Sequence, residues 1–284
     1  MRIKVNSWDL KLYWDDIFFA FYNSGFRLRY FIKGGRKGHG LLKNIELKDR
    51  HKGKRVFVVG NGPSIKGQNL KLLQNEVTFF VNRAFLHKDY ELIKPTYHIF
   101  IDPKMATGEW PLTFLDDAAA KNPDVTFLLN GDWYNLPQFQ EYKKEYKIYW
   151  LCQKLYIQPY FRGKIDLTTI GVGAAVVEQG LLAAIYMGVS DMFFLGVDGN
   201  GLCYELTQRD SHFYGTNPEN KTKNFSSLYK DLSMMSNSLR RWDMIGKYCS
   251  CIGVNLVNLT DGGIMDFTRR MKYQDVVKQS NSHR

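Results

Sequence analysis

The sequence predicts an α/β fold: one mostly parallel central sheet with helices on both faces, preceded by a basic amphipathic extension. Three observations carry this. Seven short runs of β-branched and aromatic residues alternate with segments of helical or polar character, the pattern of a sheet built through crossover helices. The runs are continuously apolar rather than alternating, as expected of strands buried on both faces. A chain of 284 residues, 44% hydrophobic, is large enough to cover both faces of such a sheet.

The extension comes first. Residues 1–55 hold 14 Lys and Arg against 5 Asp and Glu, so they carry +9 of the formal net charge of +11. Nucleic-acid binding recruits cations along the whole contact surface, and a charge confined to one end argues against a nucleic-acid partner. From Trp8 to Phe26, Leu10, Trp14, Ile17, Phe18 and Phe21 fall at helical spacing, and Asn23-Ser24-Gly25 predicts a stop. Arg27 to Gly40 then mixes aromatics with Arg27, Arg29, Lys33, Arg36 and Lys37. Rings and cations together suit an anionic membrane surface, and residues 1–40 are expected to contact one; packing against the body or a second subunit of a homo-oligomer is the alternative. No run of about 18 apolar residues occurs, so no bilayer span is expected.

The strand–turn–helix pattern begins at Lys54, which divides the chain into an arm, 1–53, and a single catalytic domain, 54–284. The apolar runs are Arg55 to Gly60, Val77 to Asn82, Tyr97 to Asp102, Val125 to Asn130, Lys147 to Cys152, Asp191 to Asp198 and Gly253 to Thr260. Tyr273 to Arg284 reads as a short helix and a loose tail. Cys152, Cys203, Cys249 and Cys251 show neither a disulfide framework nor a paired zinc-site spacing.

Ligands of open parallel sheets bind beyond the carboxyl ends of the strands. Here those ends are followed by Gly60-Asn61-Gly62-Pro63-Ser64, Asn82-Arg83, Asp102-Pro103, Asn130-Gly131-Asp132 and Asp198-Gly199-Asn200-Gly201, all small or polar. Gly60 and Gly62 are expected to let backbone N–H groups approach a phosphate, with Asn61 adding an amide and Ser64 capping the next helix. The stretch lacks both the third glycine of a dinucleotide-binding turn and the lysine of a Walker loop. Thr168 or Thr169 reads as the N-cap of a helix whose first turn is left bare by Gly171 and Gly173, and Gly180, Ala183 and Ala184 predict a thin helix lying close to the sheet. His212, in the polar loop "RDSHFYG", is the candidate general base, because imidazole titrates near neutrality. No D-x-D pair occurs, so no metal is expected.

The runs "GNGPSI", "VNRAF", "TTIGVGAA" and "SHFYG" resemble the bacterial sialyltransferases of glycosyltransferase family 42. They are also similar to the group containing the central domain of flagellin-modifying motility-associated factors and the 6-hydroxymethylpterin diphosphokinase-like proteins, whose closing segment "NLTDGGIMDFTRRMKYQDV" resembles. The resemblance covers about Lys54 to Val276. It implies a Rossmann-like, sialyltransferase-like variant of the GT-A type. The implied enzyme moves an acidic sugar (sialic acid, another nonulosonate or a Kdo-type sugar) from a CMP-activated donor to a lipid-linked or polysaccharide acceptor of bacterial surface glycans. It needs neither metal nor other cofactor; with the basic aromatic arm, it is expected to work peripherally at the inner face of the cytoplasmic membrane, where such acceptors live. By position, Asn61 meets the donor phosphate, Asn82 reaches the phosphate or the donor sugar, Thr169, Ile170 and Gly171 line the nucleotide and carboxylate end, Asp198 sits at the base of the site, His212 is the general base and Tyr204 bonds the leaving phosphate. Asn200 stands where the family has a second tyrosine, Asp102 where it has an asparagine, and Ile170 where it has a serine. Two alternatives stay open: magnesium-dependent pyrophosphoryl transfer from ATP, using Asp102, Asp132 and Asp198, and a non-catalytic nucleotide-binding scaffold.

Overall fold

The computed structural model describes residues 6–157, 161, 163–173, 175–217 and 225–278. Its strands are β1 (Arg55–Val59), β2 (Val77–Val81), β3 (Tyr97–Phe100), β4 (Thr126–Asn130), β5 (Ile148–Leu151), β6 (Gln153–Leu155), β7 (Gly171–Val172), β8 (Asp191–Leu195), β9 (Asn255–Asn258) and β10 (Arg269–Arg270). Its helices are α1 (Ser7–Ile32), α2 (Gly35–Gly38), α3 (Tyr90–Ile93), α4 (Lys104–Thr107), α5 (Thr113–Lys121), α6 (Tyr142–Glu145), α7 (Val176–Tyr186), α8 (Gly201–Leu206), α9 (Phe225–Cys251) and α10 (Tyr273–Lys278).

All seven apolar runs are strands of one sheet, ordered β10-β9-β8-β1-β2-β3-β4-β5. Every pairing in it is parallel. The chain lays β1 to β5 outward in one direction and then returns to place β8 on the other side of β1. The strand order therefore reverses between β1 and β8, the crevice where ligands of such sheets bind. Val56, Phe57, Val58 and Val59 of β1 are fully buried, as continuous apolar strands require. Helix α7 lies as close to the sheet as its small residues predict: a Cβ on Gly180 would come within 3.0 Å of Val58 and 3.2 Å of Ile99. β6, β7 and β10 carry no apolar run and were not expected. Among the described residues β6 and β7 form a separate two-stranded sheet.

Three local expectations are corrected. Helix α1 does not stop at Asn23-Ser24-Gly25 but continues to Ile32. The side chain of Asn23 is used in tertiary contact, donating to the Tyr156 carbonyl at 3.0 Å and accepting from the Tyr156 N–H at 2.8 Å, while Phe19 stacks on the Tyr156 ring at 4.1 Å. These contacts outweigh the roughly 1 kcal/mol that a glycine costs a helix. Thr168 and Thr169 do not cap a helix. The Thr168 N–H and hydroxyl both donate to Asp166 Oδ1, and the N–H groups of Gly171 and Gly173 go to the carbonyls of Cys152 and Leu155 beside β6. Helix α7 begins at Val176, where the buried Glu178 carboxylate accepts the Ala175 N–H at 3.0 Å. Ser64 caps no helix either; Pro63–Gly67 is a short 3₁₀ turn and the Ser64 hydroxyl points to Asp198.

Residues 40–53, counted with the arm on charge, pack on the body. Leu41 and Leu47 are fully buried, and Asn44 Nδ2 donates to the carbonyls of Trp150 and Leu167 at 2.6 Å each.

Candidate functional site

At the reversal point the loops after β1 and β8 cross in near contact. A Cβ on Gly60 would lie 2.4 Å from the Gly196 carbonyl oxygen, and one on Gly62 would lie 1.7 Å from Asp198 Oδ2. No side chain fits at either position. The N–H groups of these glycines are consumed in the crossing: Gly60 donates to Leu195 O and Gly62 to Gly196 O, both at 2.8 Å. This corrects the expectation that Gly60 and Gly62 offer N–H groups to a phosphate; their lack of a Cβ serves loop packing.

Asp198 is buried, 6% exposed, and accepts the Ser64 hydroxyl at 2.9 Å. Burial pushes its carboxyl above the usual range, with the Ser64 hydrogen bonds acting in the opposite sense. Its backbone is clamped from behind by the closing segment. Ile264 N–H donates to Asp198 O at 2.8 Å, and Gly263 sits where a Cβ would be 2.5 Å from that oxygen. Arg270 holds the turn by donating to the carbonyls of Thr260 and Gly262.

Three buried amide oxygens stand around this floor without a hydrogen-bond partner among the described residues: Asn61 Oδ1, Asn82 Oδ1 and Asn200 Oδ1. They follow β1, β2 and β8. Unsatisfied buried polar groups cost about 1–3 kcal/mol each, and these three oxygens are acceptors that only a donor such as a hydroxyl or amino group satisfies. Asn61 Nδ2 is fixed by the Val81 carbonyl at 3.0 Å. Asn82 is held in the left-handed region, φ 47°, which asparagine tolerates better than most side chains.

The fully buried His98 supports that conformation. Its Nε2 lies 2.7 Å from the Asn82 carbonyl and its Nδ1 lies 2.6 Å from the Tyr90 hydroxyl. A carbonyl only accepts, so Nε2 carries the proton and Nδ1 accepts from Tyr90. Burial lowers the His98 pKa to about 3 and keeps the ring neutral.

A cleft of about 370 Å³ is lined by Asn82, Asp102, Lys104 and Trp110 from the segments that follow β2 and β3, by Gly201 and Leu202 of α8, by Ser211, His212, Tyr214 and Asn217 of the following loop, and by Asp231 of α9. The His212 loop is anchored to the first turn by Phe213 N–H, which donates to Asn61 O at 2.9 Å. His212 Nδ1 lies 3.0 Å from Ser211 Oγ, and its ring stacks on Tyr214 with centroids 5.0 Å apart. Asp102 Oδ1 accepts the Lys104 N–H at 3.0 Å. Arg83 stacks over Trp110 and donates to Asn217 Oδ1 at 2.8 Å, fixing one wall.

Of the residues singled out in the sequence, Asn82, Asp102 and His212 line this cleft. Gly60, Asn61, Gly62, Ser64 and Asp198 form the crossing beneath it. Asn200 immediately precedes α8, and Tyr204 lies on that helix, whose Gly201 and Leu202 face the cleft. Thr169, Ile170 and Gly171 do not line it; Ile170 is core and Gly171 opens β7. Asp132, a candidate magnesium ligand in the kinase alternative, accepts from His39, Lys33 and Lys154 at 3.4 Å each, and its carboxyl is held below the usual range, by the His39 hydrogen bond first. Among the described residues no group of three or more His, Cys, Asp or Glu is placed to hold a metal. Lys104, Trp110 and Asn217 were not foreseen, His98 carried no site role in the sequence, and Arg83 was named only as part of the polar end of the second run. Arg83 directly follows Asn82, and that adjacency was the one usable signal.

No curated protein matches the chain. Solved structures to which it is similar include the sialyltransferase CstII from Campylobacter jejuni with cytidine-5'-monophosphate, at 14% identity, covering 77% of this chain and 85% of that one with a TM-score of 0.46. The same enzyme with CMP-3FNeuAc is 16% identical over 76% of this chain and 86% of that one, with a TM-score of 0.45. CST-II with a trisaccharide acceptor and CMP is 16% identical over the same shares, with a TM-score of 0.42. The family model for 6-hydroxymethylpterin diphosphokinase MptE-like proteins matches residues 39–205, from the histidine that pairs with Asp132 through both crossing loops and into α8. With more than half of its length matched, this chain belongs to the MptE-like family.

Proposed function

We propose that the protein is a glycosyltransferase that moves an acidic sugar from a CMP-activated donor to a hydroxyl of a glycan acceptor. The observation that carries the reading is that His212 lines one cleft with Asn82 and Asp102, at the sheet end where three amide oxygens following β1, β2 and β8 lack a partner among the described residues. The Lys104 ammonium suits a nucleotide phosphate that departs as charge develops on its oxygen, while the unpaired amide oxygens suit hydroxyl or amino donors of the nucleoside and sugar. In the step, the acceptor oxygen bonds to the anomeric carbon, its proton passes to His212, and the bond from that carbon to the phosphate oxygen breaks to release CMP. Asp102, which already accepts one backbone N–H, suits a sugar hydroxyl better than a phosphate. The reading includes neither metal nor other cofactor and leaves the acidic sugar open among sialic acid, other nonulosonates and Kdo-type sugars.

Family membership supports a second reading, pyrophosphoryl transfer from ATP with magnesium, for which Asp102 and Asp231 line the same cleft. Thermal unfolding with CMP, CDP, UDP and ATP, each with magnesium or EDTA, separates the two, since a ligand at 100 times its Kd adds about 2.7 kcal/mol. Stabilisation by CMP that survives EDTA is the expected result. Magnesium-dependent stabilisation by ATP alone would sink the transferase.

A further inference from the structure

Helix α1 has two apolar stripes on opposite sides. Phe19, Asn23, Phe26 and Tyr30 face the body, Tyr30 being buried. Leu10, Trp14, Phe18, Phe21, Leu28 and Ile32 recur at helical spacing on the other side and are 53–76% exposed. Arg27 and Arg29 lie on either flank of this outer stripe and are exposed, as are Arg36 and Lys37 just beyond. No helix among the described residues is long and apolar enough to cross a membrane. Asp9, Asp15 and Asp16 lie in the first half of α1, Asp15 paired with Lys11 and Asp16 with Arg240, so the cations stand at its C-terminal end. An exposed aromatic stripe that ends in cations has the form that lies in the plane of a bilayer, rings at the acyl boundary and cations at the headgroups.

We propose that the outer stripe of α1 inserts in the plane of an anionic lipid surface. Charge decides between a bilayer and a second copy of this chain. A second copy packed parallel would bring the Arg27 and Arg29 flanks together, and one packed antiparallel would offer them only Asp9, Asp15 and Asp16, which are already engaged by the Asn6 N–H, Lys11 and Arg240. Anionic headgroups neutralise all of these cations. The inner side of α1 also fixes what faces that surface. Tyr22 and Phe26 line a small cavity with Ile101, Pro103 and Asn130, at the carboxyl ends of β3 and β4. The helix therefore sits at the end of the sheet that opens into the His212 cleft. Resting on the transferase reading, this places a lipid-linked acceptor, rather than a free oligosaccharide, within reach of the site.

The test uses the full chain with vesicles of phosphatidylglycerol and phosphatidylcholine and with phosphatidylcholine alone. Trp110, Trp133, Trp150 and Trp242 are buried, while Trp8 and Trp14 are 69% and 62% exposed, so a vesicle-induced blue shift of tryptophan emission reports on α1. The expected results are pelleting with anionic vesicles that weakens in high salt, a blue shift, and partition reduced by about 10-fold or more in a Phe18→Glu, Phe21→Glu, Leu28→Glu variant of unchanged helix content. Failure of the wild type to pellet, equal pelleting with phosphatidylcholine alone, or unreduced pelleting of the variant each overturns the proposal. So does a dimer that the variant dissociates without any vesicle binding. CMP stabilisation, measured without lipid, tests the transferase reading separately.

Discussion

His212 owes its position to main-chain contacts made far away in sequence. Phe213 N–H is bonded to Asn61 O, and the adjacent Ser211 hydroxyl lies 3.0 Å from His212 Nδ1. Replacing His212 with Ala is expected to lower kcat by about 10²- to 10⁴-fold while CMP still raises the melting temperature. A variant that turns over at the wild-type rate removes His212 from the mechanism. Gly62 tests the crossing beneath it. Its Cβ would collide with both Asp198 Oδ2 and the Gly196 carbonyl, 2.7 Å away, so Gly62→Ala forces one loop to move. A loss of about 1–3 kcal/mol in denaturant unfolding is expected, together with weaker nucleotide binding. A neutral Gly62→Ala would show that the loops are not held in contact. The sequence marked both residues but gave the wrong reason for the glycine, because its constraint comes from Asp198, well over a hundred residues away.

At the scale of elements, β2 and β3 are coupled by the buried chain from Tyr90 through His98 to the Asn82 carbonyl. This has a pH consequence. Burial lowers His98 to about 3, and burial together with Lys54 and Arg50 lowers His51 to about 4. Both native pKa values lie below the unfolded value near 6.5, so the unfolded chain binds protons that the native state refuses. Their stabilisation is complete above pH 6.5 and is lost as the pH falls toward the native values, by up to about 1.4 kcal/mol per pH unit for each ring. Chemical unfolding between pH 7 and 4.5 should show this slope, and His98→Gln should remove close to half of it. An unchanged slope would mean that His98 is not held neutral. In the sequence His98 is merely a polar residue inside an apolar run. Nothing local says that its two nitrogens join α3 to the end of β2.

The whole molecule is tied together across the sheet by α9, which is joined to α7 and α1 through two adjacent arginines. Arg241 Nε donates to the fully buried Glu178 at 3.0 Å, and Arg240 pairs with Asp16 at 2.6 Å. Removing Arg241 leaves a buried carboxylate without its cation, so Arg241→Ala is expected to cost about 3–5 kcal/mol by denaturant midpoint, and Arg240→Ala much less because that pair is partly exposed. Equal effects would refute the burial argument. Through the Asp16 contact, α9 also helps to set α1, and with it the proposed membrane face, against the body.

By itself the sequence determined the parallel sheet, the order in which its strands are made and the chemistry at their ends. An apolar run of five residues encodes burial on two faces locally, and the residue after it, Asn82 or Asp102, needs no partner to be recognised as polar. Only the tertiary structure decided which of these residues meet. Ser64 leaves its expected cap for Asp198, 134 positions away; Thr168 turns to Asp166 while Gly171 joins β6; Asn23 trades a helix stop for Tyr156. In each case a side chain or N–H group had a weak local use and a stronger distant partner, and the hydrogen bond made in the folded core prevailed over the local propensity.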